Sequence, residues 1–435
     1  MPSTTPAAGR VAFTYPSFVS YTFARFFIVL TLEMQSVAVA WQVYEITHSP
    51  LDLGYVGLAQ FLPGFVLFLF AGHAADMFDR RKLLTACYAG YGVCSALLLA
   101  ISWRAPHSVH WIYVVLVMTG ICRTFSFPVS RALLPQLVPE EHFSNAIAWN
   151  SSIFQVSNIA GPAIGGLAYA FFHGPEAVYA IALVVSAFSA LLTLRIKLLP
   201  IPWPSAKDKD GAKEYPEIQK RNKKEPFSLR TVLAGFRFIG EKKVILGSIS
   251  LDMFAVLLGG ATALLPIYAR EILHTGPWGL GLLRSAPGVG AAIMAIAVAH
   301  YPIRRRAGMT MLLCVAAFGV FTIVFGLSHS LILSLLALFL TGAADMVSVI
   351  IRATLVQIAT PDEMRGRVNA VDMLFIGVSN ELGEFESGLT AHWFGTVPAV
   401  VIGGIGTLLV IGIWAWLFPD LRKADQLTVA ELMPK

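Results

Sequence analysis

The chain of 435 residues is 56% hydrophobic and only 13% charged, with a formal net charge of +6 and a mean hydropathy of +0.68. A soluble domain carries about 25% charged residues, so the polar surface of a water-soluble body is missing. Long continuous apolar runs, not alternating segments of about ten residues, exclude an outer-membrane barrel and define an all-α polytopic membrane protein.

In chain order, about twelve membrane spans are expected, near 18–44, 51–75, 83–103, 109–133, 145–172, 176–198, 244–269, 276–300, 308–328, 330–354, 367–393 and 397–418. The short polar stretch before the first span has no cleavable-signal pattern. Between the sixth and seventh spans, 17 of the chain's 58 charged residues crowd between Lys207 and Lys243. This basic, Pro-punctuated stretch reads as a partly disordered cytoplasmic linker with a surface helix around Ser228–Gly240. The expected division is a six-helix bundle over 1–199, the linker over 200–243, and a second six-helix bundle with a short cytoplasmic tail over 244–435.

The pI of about 9.1 does not signal nucleic acid. Arg104 and Arg270 alone fall on one side of the predicted spans, and Arg25, Arg123 and Arg284 fall inside them; every other Lys and Arg lies on the opposite side. That is the positive-inside bias, which places both termini in the cytoplasm. Cys87, Cys94, Cys122 and Cys314 all sit in apolar spans, with neither disulfide nor zinc spacing. The histidines mostly fall at span ends or loops (His48, His73, His107, His142, His300 and His392), as interfacial residues do. Gly403, Gly404 and Gly406 lie within the last span, so no phosphate-cradling loop is present. No nucleophile–base set or ATP site is legible; no enzyme activity, cofactor or metal is expected.

The chain repeats itself. At an offset of 224, Tyr44 matches Tyr268, Gly57-Leu58 matches Gly281-Leu282, Pro63-Gly64 matches Pro287-Gly288, Arg80-Arg81 matches Arg304-Arg305, and Asn145-Ala146 matches Asn369-Ala370. With small indels, Arg131 falls on Arg352, Gln136 on Gln357 and Gly161 on Gly383. Two halves of the same orientation follow, related by an axis along the membrane normal.

The loop after the second span, Gly72-His73-Ala74-Ala75-Asp76-Met77-Phe78-Asp79-Arg80-Arg81-Lys82, resembles the signature loop of the major facilitator superfamily at Gly72, Asp76, Arg80 and Arg81. Met77 and Asp79 depart from that pattern. A glycine there lets helices approach, an aspartate suits a helix N-terminus, and the arginines can tie the halves together as a cytoplasmic gate; the alternative is purely topogenic charge. Gly161-Pro162-Ala163-Ile164-Gly165-Gly166 resembles the core of the superfamily's export-type motif, with Ser157 and Ala148 where upstream glycines stand; simple helix packing is the alternative. Further stretches, Trp41–Pro50, Arg131–Pro139, Leu264–Arg270 and Met364–Asn369, are similar to the enterobactin-exporter branch of bacterial efflux proteins. The resemblance implies the major facilitator fold and a cavity lined by the first and fourth helices of each half.

An ionisable residue at mid-span costs about 2.5–3.5 kcal/mol on insertion scales, so each is a functional candidate. These are Glu33, Arg123, Asp252 and Asp345, in the first and fourth spans of each half. Arg123 maps beside Asp345 in the repeat, and the two are expected to pair across the axis, either as a working or as a static ion pair. Arg25, shallower, reads as a snorkelling interfacial cation. In span 11, Glu381 and Glu384 share a helix face while Glu386 points elsewhere. Acids so close in a low-dielectric setting do not all ionise, and Glu384 is the first choice for a proton carrier. Arg284, at similar depth in span 8, is a candidate partner. A water-filled vestibule that merely solvates the acids is the alternative.

The expected function is therefore proton-coupled export of a small amphipathic organic molecule, siderophore- or drug-like, by a monomer in the inner membrane. Its partners are substrate, lipid bilayer and protons. Uptake or lipid translocation by the same fold, or a non-transporting receptor, are the rival readings.

Overall fold

The computed structural model describes residues 8–104, 108–198, 229–303, 305–361 and 364–423. Among these residues the chain is helical throughout, without a strand. The first six long helices are α1 (Pro16–Thr47), α2 (Pro50–Met77), α3 (Arg80–Arg104), α4 (Val109–Leu133), α5 (Phe143–Phe172) and α6 (Glu176–Leu194). A short amphipathic helix, α7 (Leu229–Glu241), precedes α8 (Lys243–Gly259), α9 (Pro277–His300), α10 (Ala307–Gly326), α11 (Leu331–Ala359), α12 (Arg365–Phe394) and α13 (Thr396–Leu417).

Helix ends follow local chemistry. Prolines in the first turn open α1, α2 and α9, where a missing N–H costs nothing. The Ser49 hydroxyl accepts from the Asp52 amide at 3.4 Å and caps α2. His48 and His173, at φ 50° and 57°, stop α1 and α5 in the left-handed conformation. The expected surface helix of the linker is present as α7. It docks on the start of α12, with Gly235 against Arg367 and Phe236 beside Phe375 at 5.7 Å. The rest of the predicted linker lies outside the described residues.

The seventh span differs from expectation. It breaks at Gly260, whose extended backbone (ψ 100°) ends α8, and continues to Ile272 through tight and wide helical turns, with Pro266 in the first turn of the Leu265–Ile267 segment. The freed Gly260 carbonyl accepts a hydrogen bond from the Ser387 hydroxyl of α12, so the break stays satisfied inside protein.

Within the first six helices, α1 packs on α5 and α6, α2 on α4, and α3 on α4 and α6; among the later ones α9 packs on α11, α10 on α11 and α13, and α8 on α12 and α13. Two seams join the groups: α5 against α9, and α2 against α12. Both are close backbone contacts. A Cβ on Gly281 would sit 2.5 Å from the Pro162 carbonyl, and one on Gly388 2.8 Å from the Pro50 carbonyl. Tyr44 adds a hydrogen bond to Glu271. These contacts seal the end where α1 turns into α2. Toward the other end, Arg123, Phe127, Arg131 and Met373 are exposed between the groups.

Among the described residues, ten helices, not twelve, are long and apolar enough to cross a bilayer by composition. The two that fall short are α5 and α12, each 30 residues long. They carry the seams.

Candidate transport site

Arg123 reaches from α4 across to α12, where its Nη1 lies 3.2 Å from Glu381 Oε1. Its side chain is 60% exposed and that of Glu381 19%, although both sit deep among the helices, so they line an open cleft. One turn along α12, Glu384 lies over Gly57 of α2, where a Cβ would come within 2.7 Å of the carboxylate. Glu384 and Arg284 share a cavity of about 20 Å³ with Ser36, Gln60 and Thr262, room for one water. Arg284 Nη1 donates to the Ser36 carbonyl at 3.4 Å. Glu33 packs over Gly161, whose missing side chain makes space for it, and lies within electrostatic range of Arg123 and Glu381. Five of the predicted residues therefore converge: Glu33, Arg123, Arg284, Glu381 and Glu384. Three carboxylates face two guanidiniums, so a single proton balances the set.

The expected Arg123–Asp345 pair is not formed. Glu381, brought over by the α2–α12 seam, takes that role, while Asp345 faces a second cluster inside the later helices. There Arg352 of α11, only 4% exposed, holds Asp252 Oδ2 at 3.3 Å and hydrogen-bonds Asp372 of α12. Asp345 stands two turns along α11 within range of both Asp252 and Arg352. Glu386 stands apart, as expected, and accepts from Thr390 at 2.7 Å.

Arg25 also departs from expectation. It does not snorkel to the surface but donates to the Tyr21 and Ser130 hydroxyls, both at 3.1 Å, beneath the Phe154 ring. The signature loop staples helix ends within the first group: Arg80 donates to the Ala132 carbonyl at 3.1 Å and Arg81 to Ile196 at 3.0 Å, which satisfies terminal carbonyls of α4 and of the turn after α6. Gly72 lies near the end of α2; the side chain of Asp76 lies outside the described residues. In the export-type motif, Gly161 and Gly165 press on α1, at Glu33 and Met34, and Gly166 presses on Gly281. Pro162 is buried at the same seam. The motif's visible work is packing.

The sequence reading missed Arg352, Asp372 and the Tyr44–Glu271 contact. Asp372 was findable as a lone acid in an otherwise apolar stretch, three residues beyond the repeated Asn369.

Two groups of helices around a polar cleft, bridged by the Arg123–Glu381 ion pair, define a multi-pass helical membrane protein. The chain belongs to the Major Facilitator Superfamily, whose sequence profile matches residues 21–384, and with that family it is a transporter, not an enzyme. It is 26% identical over 421 residues to the Enterobactin exporter EntS of Citrobacter koseri, covering 95% of this chain and 94% of that one, and 27% identical to the namesake of Escherichia coli O81 over the same shares. Among solved structures, a bacterial homolog of the human lysosomal transporter Spinster, inward-facing and unoccupied, superposes with a TM-score of 0.71 at 14% identity, covering 97% of this chain and 99% of that one. A D-xylose–proton symporter superposes at 0.68 with 12% identity, covering 93% and 98%.

Proposed function

We propose that this transporter exports a small amphipathic organic molecule across the bacterial inner membrane, exchanging it for protons. The observation that carries the reading is the Arg123–Glu381 bridge between the two helix groups, beside Glu384 and Arg284. The names of the relatives support the outward direction and the siderophore-like class. The bundles 1–199 and 244–435 rock as rigid units, joined by the 200–243 linker, with both termini in the cytoplasm. On this reading the sealed α1–α2 end is the outer one, and the conformation faces inward.

The mechanism follows from charge balance. With one proton on Glu384, the set of Glu33, Arg123, Arg284, Glu381 and Glu384 is neutral and can be enclosed; losing it leaves an uncompensated negative charge that favours an open, hydrated cleft. One charge crossing 100 mV carries about 2.3 kcal/mol, enough for a roughly 50-fold gradient per proton.

The test is substrate-triggered pH change in proteoliposomes, comparing wild type with Glu384→Gln across a panel of amphipathic compounds. Proton flux that appears with one compound class and vanishes in the variant is the expected result. Substrate movement without any proton flux overturns the coupling. Flux that survives in the variant moves the proton to Glu33, Asp252 or Asp345.

A further inference from the structure

At the open end of the cleft, the first helix group presents two arginines that no carboxylate neutralises. Among the described residues, neither Arg25 nor Arg131 forms an ion pair with an acid. They lie close enough to repel one another, and Ser130 is hydrogen-bonded to one and adjacent in sequence to the other. Each guanidinium covers an aromatic ring: Arg131 stands 4.4 Å from the Phe127 centroid and Arg25 5.5 Å from that of Phe154. Arg131 also spans the cleft, its Nη1 3.4 Å from the Met373 sulfur.

The repeat shows that this is a departure, not a default. Arg352, the counterpart of Arg131, is locked by Asp252 and Asp372. At the repeat offset of 224 those two acids correspond to Ile28 and Ala148. The first half thus keeps the arginine, lacks both of its counter-charges and adds Arg25. Arg25 is half-buried and Arg131 exposed in the cleft; two like charges this close favour an anion that joins them, and aromatic faces beside them favour a flat ligand.

We infer that Arg25 and Arg131, with Phe127 and Phe154, form the substrate's entry subsite, and that the transported molecule is an organic anion bearing an aromatic ring. This rests on the transport reading above and names its substrate class. Each arginine offers a planar pair of donors matched to a carboxylate or phenolate.

The experiment uses full-length protein in zwitterionic nanodiscs and a series of equal shape but different charge: 2-naphthoate, 2-naphthylmethanol and 2-naphthylmethylammonium, titrated by calorimetry. We expect naphthoate to bind about tenfold or more tightly than either of the others. Arg131→Gln should bring naphthoate down to the level of the alcohol, and Arg131→Lys should retain part of the preference. Ala148→Asp, which restores the acid of the second half, should abolish the preference without removing an arginine; with the wild-type series it decides the matter if Arg131→Gln fails to fold. Equal binding of all three probes, tighter binding of the ammonium, or a preference unchanged in both Arg131→Gln and Ala148→Asp overturns the inference. So does a site that ignores naphthoate and is filled only when phosphatidylglycerol is added to the nanodisc. Counterflow in proteoliposomes separates the two readings: transport without charge preference sinks the subsite alone, and charge-selective binding without transport sinks the transport reading alone.

Discussion

Arg123 and Arg352 are both arginines inside the membrane portion of the chain, and both bind acids on α12, yet they do different work. Arg352 is enclosed by its own helix group, with two aspartates and almost no exposure. Arg123 binds one glutamate of the opposite group and remains 60% exposed. A buried pair cannot be parted cheaply, because the charge left behind has no solvent. A pair in an open cleft can part, since water replaces the lost partner. The first arrangement fixes a bundle; the second suits a contact made and broken between moving bodies.

The sharpest break of this contrast is Arg352→Met, which strands Asp252 and Asp372. We expect a loss of about 3–5 kcal/mol of stability, read as a lowered unfolding midpoint in detergent. The triple exchange with Asp252→Asn and Asp372→Asn should recover most of it. A smaller effect is expected at the seam, where Gly281→Val has no room beside the Pro162 carbonyl. Overpacking of this kind costs about 1–3 kcal/mol, and it should appear as increased labelling of cysteines placed along α9 near the sealed end. Tyr44→Phe removes the bridge to Glu271 and should shift the same labelling by about 1 kcal/mol. Arg123→Gln should change stability least, by about 0–1 kcal/mol, while slowing transport of the proton-coupled substrate at least tenfold. A large stability loss for Arg123→Gln, or a negligible one for Arg352→Met, would erase the distinction.

Much of this architecture is legible in the amino-acid sequence. Apolar runs of about 20 residues marked the spans, and matched pairs such as Tyr44 with Tyr268 revealed the repeat. Glu33, Arg123, Arg284, Glu381 and Glu384 were all visible as charges where charge is expensive. Partnership was legible only for Arg284, expected beside these acids and found in one cavity with Glu384. Arg123 and Glu381 lie 258 residues apart in sequence, and which helix of one group touches which of the other depends on where glycines let backbones meet. Gly57, Gly166 and Gly281 set those seams, and a list of small residues does not say what they face. Arg25 was misplaced for a related reason: depth along a helix can be counted from sequence, but the direction toward Ser130 and Phe154 cannot. Arg352 was hidden among the topogenic charges: Asp372 lies only 20 residues on, but Asp252 comes from α8, and a position at a span end does not reveal that the side chain turns inward.

The polarity of α12 bears on how the protein is made. Glu381, Glu384 and Glu386 stand near the middle of this helix, each costing about 2.5–3.5 kcal/mol to place in lipid alone. Glu381 meets Arg123 of α4, synthesised 258 residues earlier, and Glu384 meets Gly57 of α2, which is made earlier still. The order of synthesis thus places α2 and α4 ahead of the eleventh segment, whose acids they meet in the finished protein.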